Sequence, residues 1–177
     1  MSNVDEGLAD LVRGAVALEL NGEYFYKRAA EATQHPRGKA MFLRLAEQEQ
    51  GHIEEIGALF SGMVDADEWE RLSSEETASP RTSPVITELE AAIAARGRPE
   101  LADDTQALRL GMELERRAIQ FFEGLKVRTN DPMKLRMIKH LIEEEHFHYD
   151  FLQTQLDSVL NVGIWLDAPE FRQDGKF

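Results

Sequence analysis

Apolar residues recur at every third or fourth position through four long stretches of the chain, which is the spacing of one face of an α-helix. Alternation of apolar and polar residues, the pattern of a half-buried strand, is nearly absent. The sequence therefore predicts an all-α protein. Its four long helices are predicted at Val4–Ala32, Gly38–Phe60, Leu101–Val127 and Met133–Leu160.

The connections between these helices differ greatly in length. The turns ATQHPRG and RTNDPMK are short, so each is expected to join two antiparallel neighbours. The crossover connection covers residues 61–100, and its first part, SGMVDADEWERLSSEETASPRTSP, is rich in serine, proline and acidic residues and is predicted to be extended. It ends with a short helix that has Ser83 as N-cap, Pro84 in its first turn and Gly97 as its stop. Two helix hairpins joined by a long crossover predict a ferritin-like antiparallel four-helix bundle.

A chain of 177 residues is large enough for one continuous core, so residues 1–177 are predicted to form a single domain. The last stretch, 161–177, has no helical period. It is predicted to be an irregular tail that lies along the bundle through Trp165 and Phe171.

Charged residues interrupt the apolar seam of each predicted long helix near its centre. Glutamate and histidine occupy positions where the 3-and-4 spacing calls for apolar side chains, and this spacing directs them toward the core. The six interrupting residues are Glu19 in the first helix, Glu49 and His52 in the second, Glu115 in the third, and Glu145 and His148 in the fourth.

These interruptions belong to an internal repeat. Residues 19–56, shifted by 96 positions, align with the second half of the chain without a gap. The segment EQEQGH then falls on EEEHFH, and each Glu-x-x-His follows a matched glutamate that lies 30 residues upstream. One Glu-x-x-His arises often by chance, but two copies at one offset, each with its partner, indicate a shared site.

A second register in the fourth helix would pair Glu143 with His146. Its seam continues through Lys139 and Asp150 and is polar throughout, so these side chains are expected to face water. Four further glutamates are likewise interpreted as solvated surface acids: Glu47, Glu54, Glu55 and Glu144.

The four glutamates that face the core require a source of positive charge. Four ionised glutamates in one apolar layer would repel one another and lose hydration, at a cost of several kcal/mol per ion. No lysine or arginine occupies the seams, so ion pairs cannot neutralise them. Two divalent cations would balance four carboxylates, and two neutral imidazoles would complete their ligand shells. Such oxygen and nitrogen ligands suit iron or manganese, and zinc is possible. The alternative is a structural bundle whose inward glutamates are protonated.

Composition narrows the classes of protein further. The formal net charge of −13 and a pI of about 4.8 argue against a nucleic-acid partner. The absence of cysteine excludes disulfides, thiolate zinc sites and cysteine-ligated iron–sulfur clusters. No signal peptide and no run of 18 apolar residues is evident, so a cytoplasmic protein without a membrane partner is expected.

The motifs resemble those of the rubrerythrin branch of the ferritin-like superfamily, and the resemblance covers nearly the whole chain. ELNGEYFY and ERRAIQFF are similar to the family's helices with single glutamates, and EQGH and EHFH to its Glu-x-x-His helices. The resemblance implies a carboxylate-bridged di-iron site in which Glu49 and Glu145 bridge the metals. Its full implied ligand set is Glu19, Glu49, His52, Glu115, Glu145 and His148.

The same resemblance implies an oxidoreductase in which ferrous iron reacts with hydrogen peroxide or dioxygen. A homodimer is the expected assembly. Typical rubrerythrins carry a rubredoxin-like domain with cysteine-ligated iron, whereas this sequence has no cysteine, so a separate electron-donor protein is expected. They also have a further glutamate where this chain has Met112, which argues against efficient peroxide reduction. The alternative function is an iron-binding or iron-handling protein without catalytic turnover.

Overall fold

The computed structural model describes residues 6–60, 64–78, 84–95 and 104–166. All regular elements in these residues are α-helices, which confirms the predicted all-α class. No helix of the described residues is long and apolar enough to cross a membrane. The helices are α1 (Glu6–Ala32), α2 (Pro36–Phe60), α3 (Ala66–Ala78), α4 (Pro84–Ala95), α5 (Asp104–Lys126) and α6 (Pro132–Val162).

The four long predicted helices correspond to α1, α2, α5 and α6, and their ends within the described residues differ from the predicted ones by at most two residues. The predicted first residues of the first and third long helices, Val4 and Leu101, lie outside the described residues. Both α2 and α6 begin at a proline, Pro36 and Pro132, because a first-turn residue needs no amide hydrogen bond. Asp131 caps α6 by accepting hydrogen bonds from the amides of Met133 and Lys134. The helix ends at Gly163, which adopts the left-handed conformation with φ of 67°.

The long connection contains a helix that the sequence pattern does not predict. Residues predicted as extended form α3 instead, so that prediction is wrong for Ala66–Ala78. The Asp65 side chain accepts a hydrogen bond from the Glu68 amide at 2.8 Å and so caps the first turn. Leu72 is fully buried, and α3 packs against α1. The short helix predicted from Pro84 is present as α4, whereas its cap Ser83 and stop Gly97 lie outside the described residues.

The long helices pack as two pairs, α1 with α2 and α5 with α6. Short turns join the members of each pair, so they run antiparallel. The pairs meet through contacts of α1 with α5 and of α2 with α6, and α4 packs against both α1 and α5. These contacts agree with a ferritin-like bundle, whose helix order and long crossover stay a prediction.

The buried apolar side chains form two clusters, one toward each end of the long helices. One cluster contains Phe25, Phe42 and Leu152, and the other contains Val12, Ile56 and Leu141. Along each long helix, the buried charged positions separate the two clusters. The core is therefore divided by a polar layer at its centre.

The segment after α6 is held against the helices. Trp165 is buried, with its ring 6.0 Å from that of Phe42. The Gln155 side chain accepts from the amide of Leu166 at 3.1 Å and donates to its carbonyl at 3.3 Å. Trp165 thus packs where the sequence indicated, while Phe171 lies outside the described residues.

Candidate metal centre

The six inward residues predicted from the sequence are all buried, each with at most 3% of its surface exposed. The period of the α-helix accounts for this, because residues three and four apart share a face, and the neighbouring seam residues are buried as well. Helices α1 and α5 each supply one glutamate, and α2 and α6 each supply a glutamate and a histidine. The structure brings all six into one layer.

Their donor atoms form two overlapping groups. Within each group, one donor atom from each residue lies within 4.8 Å of the others. Glu49 and Glu145 belong to both groups, which places these two carboxylates between the others. The first group is Glu19, Glu49, His52 and Glu145, and the second is Glu49, Glu115, Glu145 and His148.

The two imidazoles present the same nitrogen to the carboxylates. His52 Nδ1 lies 3.2 Å from Glu19 Oε2 and 3.1 Å from Glu145 Oε1. His148 Nδ1 lies 3.2 Å from Glu49 Oε1 and 3.6 Å from Glu145 Oε2. The rings stack with their centroids 5.5 Å apart. The arrangement is close to a two-fold copy, as the repeat indicates.

A glycine leaves room for one shared carboxylate. A Cβ atom at Gly22 would lie 2.8 Å from Glu49 Oε2, closer than such atoms approach in proteins. Gly22 is one turn after Glu19 in α1, so the missing side chain opens space on the face that carries the site. The position of Glu49 thus depends on a glycine in the facing helix.

Comparison with known proteins agrees with this geometry. A family model for rubrerythrin matches residues 10–156. The chain belongs to the rubrerythrin family. Among solved structures, the chain is similar to a hypothetical protein, Pfu-1136390-001, from Pyrococcus furiosus, with a TM-score of 0.61 and 20% sequence identity. The similarity covers 90% of this chain and 94% of that one, and it concerns the fold alone. No curated protein sequence matches the chain.

The donor atoms fit the metal ions that the rubrerythrin family implies. Several buried side-chain atoms have no hydrogen-bond partner in the part of the chain that the structure describes. His52 Nδ1 and Glu145 Oε1, for example, are close but not aligned for a hydrogen bond. A buried polar atom without a partner costs about 1–3 kcal/mol, and a bound cation would satisfy these atoms together. They are Glu19 Oε1, Glu49 Oε1, both carboxylate oxygens of Glu145 and both ring nitrogens of His148.

In the metal-free protein, protons balance the charge of this rubrerythrin site. Burial, followed by the charge of Glu145, raises the pKa of Glu19 well above its usual range. Burial and the charge of Glu49 raise the pKa of Glu115 in the same way. A metal ion must therefore displace protons from these carboxyl groups.

The imidazoles hold protons as well. Burial disfavours their charge, but close contacts with Glu145 and Glu19 outweigh it and raise the pKa of His52 to about 12. Contacts with Glu145 and Glu49 likewise overcome burial and raise the pKa of His148 to about 9. Burial also opposes the charge of Glu145, yet the two imidazoles lower the pKa of its carboxyl group. Glu145 is the charged centre around which the protonated groups are arranged.

Tyr26 contacts the site in a way the sequence did not indicate. Its hydroxyl donates a hydrogen bond to Glu115 Oε1, and its ring is fully buried against Phe42. Burial and the charge of Glu115 raise the pKa of Tyr26, which keeps the hydroxyl protonated. The available signal was its position in the seam of α1, two turns after Glu19. Such a seam position indicates a buried side chain but does not indicate the hydrogen bond.

The outward residues are mostly as predicted. Glu143 and His146 are exposed, so the second register of α6 faces water. Glu47 and Glu54 are exposed, and the Glu55 side chain is 40% exposed. Glu144 is different, because only 22% of its side chain is exposed and its Oε2 lies 3.4 Å from His52 Nε2. Its interpretation as a solvated surface acid is wrong.

Proposed function

We propose that this member of the rubrerythrin family is a di-iron oxidoreductase that reacts with hydrogen peroxide or dioxygen. The observation that carries the proposal is the pair of overlapping donor groups in a buried layer, which together offer four carboxylates and two imidazoles. Two ferrous ions would balance the four carboxylates. Manganese and zinc can also bind to such ligands, so the experiment must identify the metal.

Each donor residue has a defined place in the proposed centre. Glu19 and His52 would hold one ion, Glu115 and His148 would hold the other, and the shared carboxylates Glu49 and Glu145 would serve both. When bound, a pair of iron ions supplies two electrons for reduction of an O–O bond.

The side chains around the proposed centre orient one of its carboxylates and limit the entry of water. Tyr26 donates to Glu115 and so fixes the orientation of that carboxylate. The apolar clusters on both sides of the layer, represented by Phe42 and Phe122, limit the entry of water. Exclusion of water strengthens the electrostatic interactions among the donors and the ions they bind.

Several further features belong to the same proposal. Because the sequence has no cysteine, the electrons are proposed to come from a separate donor protein. The protein is proposed to act as a cytoplasmic homodimer, with residues 1–177 forming one di-iron domain. Met112 stands where typical rubrerythrins carry a further glutamate, and this difference argues against efficient peroxide reduction. Peroxide and dioxygen should therefore both be tested as oxidants.

The test begins with metal content and proceeds to turnover. The purified protein should contain about two iron ions per chain, and its ferrous form should be oxidised rapidly by one of the two oxidants. With an added reductant, oxidant should be consumed over many cycles. The Glu143→Gln variant, altered at an exposed neighbour of the site, should behave like the wild type. Absence of any iron-dependent turnover would contradict the enzymatic proposal.

The replacement of the family's extra glutamate by Met112 also favours a second candidate, an iron-binding protein without turnover. It predicts the same metal content but no repeated consumption of oxidant. A third possibility is a structural bundle with protonated glutamates, which the raised pKa values of Glu19 and Glu115 in the metal-free protein would support. In that case a chelator would leave the thermal stability unchanged.

A further inference from the structure

The two histidines of the site differ at their outer nitrogens. Both direct Nδ1 toward the buried carboxylates. His52 Nε2 lies 3.4 Å from Glu144 Oε2, whereas His148 Nε2 is buried without a hydrogen-bond partner among the described residues. The His52 imidazole therefore has a hydrogen-bond partner at each nitrogen, whereas the His148 imidazole has only the close approach of its Nδ1 to Glu49.

The internal repeat shows where this difference originates. The shift of 96 residues that relates His52 to His148 also relates Gln48 to Glu144. Glu144 lies on α6 and reaches His52 on α2, so the two-fold counterpart of this contact would join Gln48 on α2 to His148 on α6. A neutral amide occupies that second position, and it makes no hydrogen bond to His148 Nε2. The repeat is symmetric in its six inner residues and asymmetric in this outer pair.

We propose that Glu144 is a positioning residue that accepts a hydrogen bond from His52 Nε2–H and makes the donor group containing His52 the tighter of two metal sites. The inference rests on the proposed metal binding. With the proton fixed on Nε2, the lone pair of Nδ1 points toward Glu19 and Glu145, as a metal ligand requires. A carboxylate behind the imidazole also makes it a stronger donor.

The surroundings of Glu144 support a role beyond that of a surface charge. Its side chain is 22% exposed, whereas its neighbour Glu143 is exposed. It also crosses from one helix to another, so its contact depends on the packing of α6 against α2. A partner in this position typically changes metal affinity by about 10- to 100-fold.

The test uses Co²⁺ as a spectroscopic probe of the full-length metal-free protein, titrated in competition with a chelator. The wild type should bind two ions in two separable steps. Glu144→Gln should weaken the tighter step by about 10- to 100-fold and leave the other within about 2-fold. Glu143→Gln should match the wild type. Gln48→Glu, which supplies a carboxylate on the His148 side, should bring the two steps closer together.

A double-mutant cycle shows whether Glu144 acts through His52. In a His52→Ala background, the Glu144→Gln change should have no further effect on Co²⁺ affinity. The proposal is overturned if Glu144→Gln leaves both steps unchanged, weakens both equally, or retains its effect without His52. A fall in the melting temperature of the metal-free protein without a selective change in one step would assign Glu144 a structural role instead. If the wild type binds no metal, the proposed function is overturned as well. If the wild type binds two ions and Glu144→Gln has no selective effect, only the role of Glu144 is overturned.

Discussion

At the scale of single residues, the clearest test contrasts two glutamates that are two positions apart on α6. Glu145 is fully buried and shared by both donor groups, whereas Glu143 is exposed. Glu145→Ala should remove at least one metal ion per chain and lower the thermal stability of the loaded protein. Glu143→Ala should leave metal content unchanged and alter the free energy of unfolding by about 0.5 kcal/mol or less. Elemental analysis and thermal unfolding measure both effects.

Two histidines on the same helix provide the matching control. His148 is buried and His146 is exposed. His148→Ala should therefore lose metal and lower the thermal stability of the loaded protein, whereas His146→Ala should leave both unchanged. Loss of metal from the variants at 143 and 146, with retention in those at 145 and 148, would show that the assigned register of α6 is wrong.

Gly22 offers a test that removes no donor atom. In Gly22→Ala the added Cβ would meet Glu49 Oε2 at 2.8 Å, so the shared carboxylate must move. Metal affinity should fall, by about tenfold or more if the shift disturbs both donor groups. Titration with a metal ion in competition with a chelator measures the change.

Gly51→Ala is the control for the backbone effect of that substitution. A Cβ at Gly51 has no heavy atom within 4 Å, and the residue is an exposed part of α2. The substitution should stabilise the protein by about 0.5–1 kcal/mol through helix propensity and leave metal affinity unchanged. Equal affinities for the two variants would mean that Glu49 does not depend on the space at Gly22.

The sequence was sufficient to identify the six inner residues because two independent regularities coincide on them. Helical spacing points Glu49 and His52 inward, and the repeat pairs them with Glu145 and His148. Their roles as metal ligands stay a prediction. Contacts such as that of Tyr26 with Glu115 were not predictable, because they depend on the rotation and spacing of two helices that are distant in the chain.

At the scale of elements, the long helices were predictable and α3 was not. Each long helix carries an apolar seam over many turns, whereas the apolar contacts of α3 come from little more than Trp69 and Leu72. Serine and acidic residues fill the rest of α3, so its composition resembles that of an extended linker. Packing against α1 and the cap at Asp65 stabilise α3, although its sequence has only a weak apolar helical pattern.

The segment after α6 can be tested as an element that stabilises the α1–α2 end of the molecule. Trp165 is 3% exposed, contacts Phe42, and would meet any Cβ placed at Gly38 at 2.8 Å. Trp165→Ala should lower the free energy of unfolding by about 3–5 kcal/mol, because it leaves a cavity at a closely packed site. Urea unfolding monitored by circular dichroism measures this loss.

The adjacent residue Ile164 is the control for that substitution. It is 53% exposed, so Ile164→Ala should change the free energy of unfolding by about 0.5 kcal/mol or less. If Trp165→Ala lowers the free energy of unfolding as little as Ile164→Ala does, the indole ring does not hold the segment. The hydrogen bonds between the Leu166 backbone and the Gln155 side chain would then hold it instead.

At the scale of the whole molecule, the polar layer couples the stability of the metal-free protein to pH. The pKa values of His148 and His52 are raised to about 9 and about 12, above the value of 6.5 for an unperturbed imidazole. Between pH 6.5 and 9 the folded protein therefore binds more protons at these groups than the unfolded chain does. Their contribution to stability is complete below pH 6.5 and is lost as the pH rises through the folded pKa values.

The metal-free protein should accordingly become less stable from pH 6.5 to pH 9, on the order of 1 kcal/mol per pH unit for each imidazole. Urea unfolding in the presence of a chelator measures this slope. Glu145→Gln should reduce it, because the Glu145 carboxylate raises both imidazole pKa values, whereas Glu143→Gln should preserve it. A metal-free stability that is flat over this range would contradict the assigned protonation of the site.

Metal binding should reverse this dependence. Ions that occupy the layer must displace the protons held by the two imidazoles and by Glu19 and Glu115, so loading should release more than one proton per chain at pH 7. Apparent metal affinity should then rise with pH over the same range in which the metal-free protein loses stability. Titration with Co²⁺ in weakly buffered solution containing a pH indicator counts the released protons. Binding without proton release would mean that the ions occupy some other part of the molecule, and the buried layer would then be a structural feature.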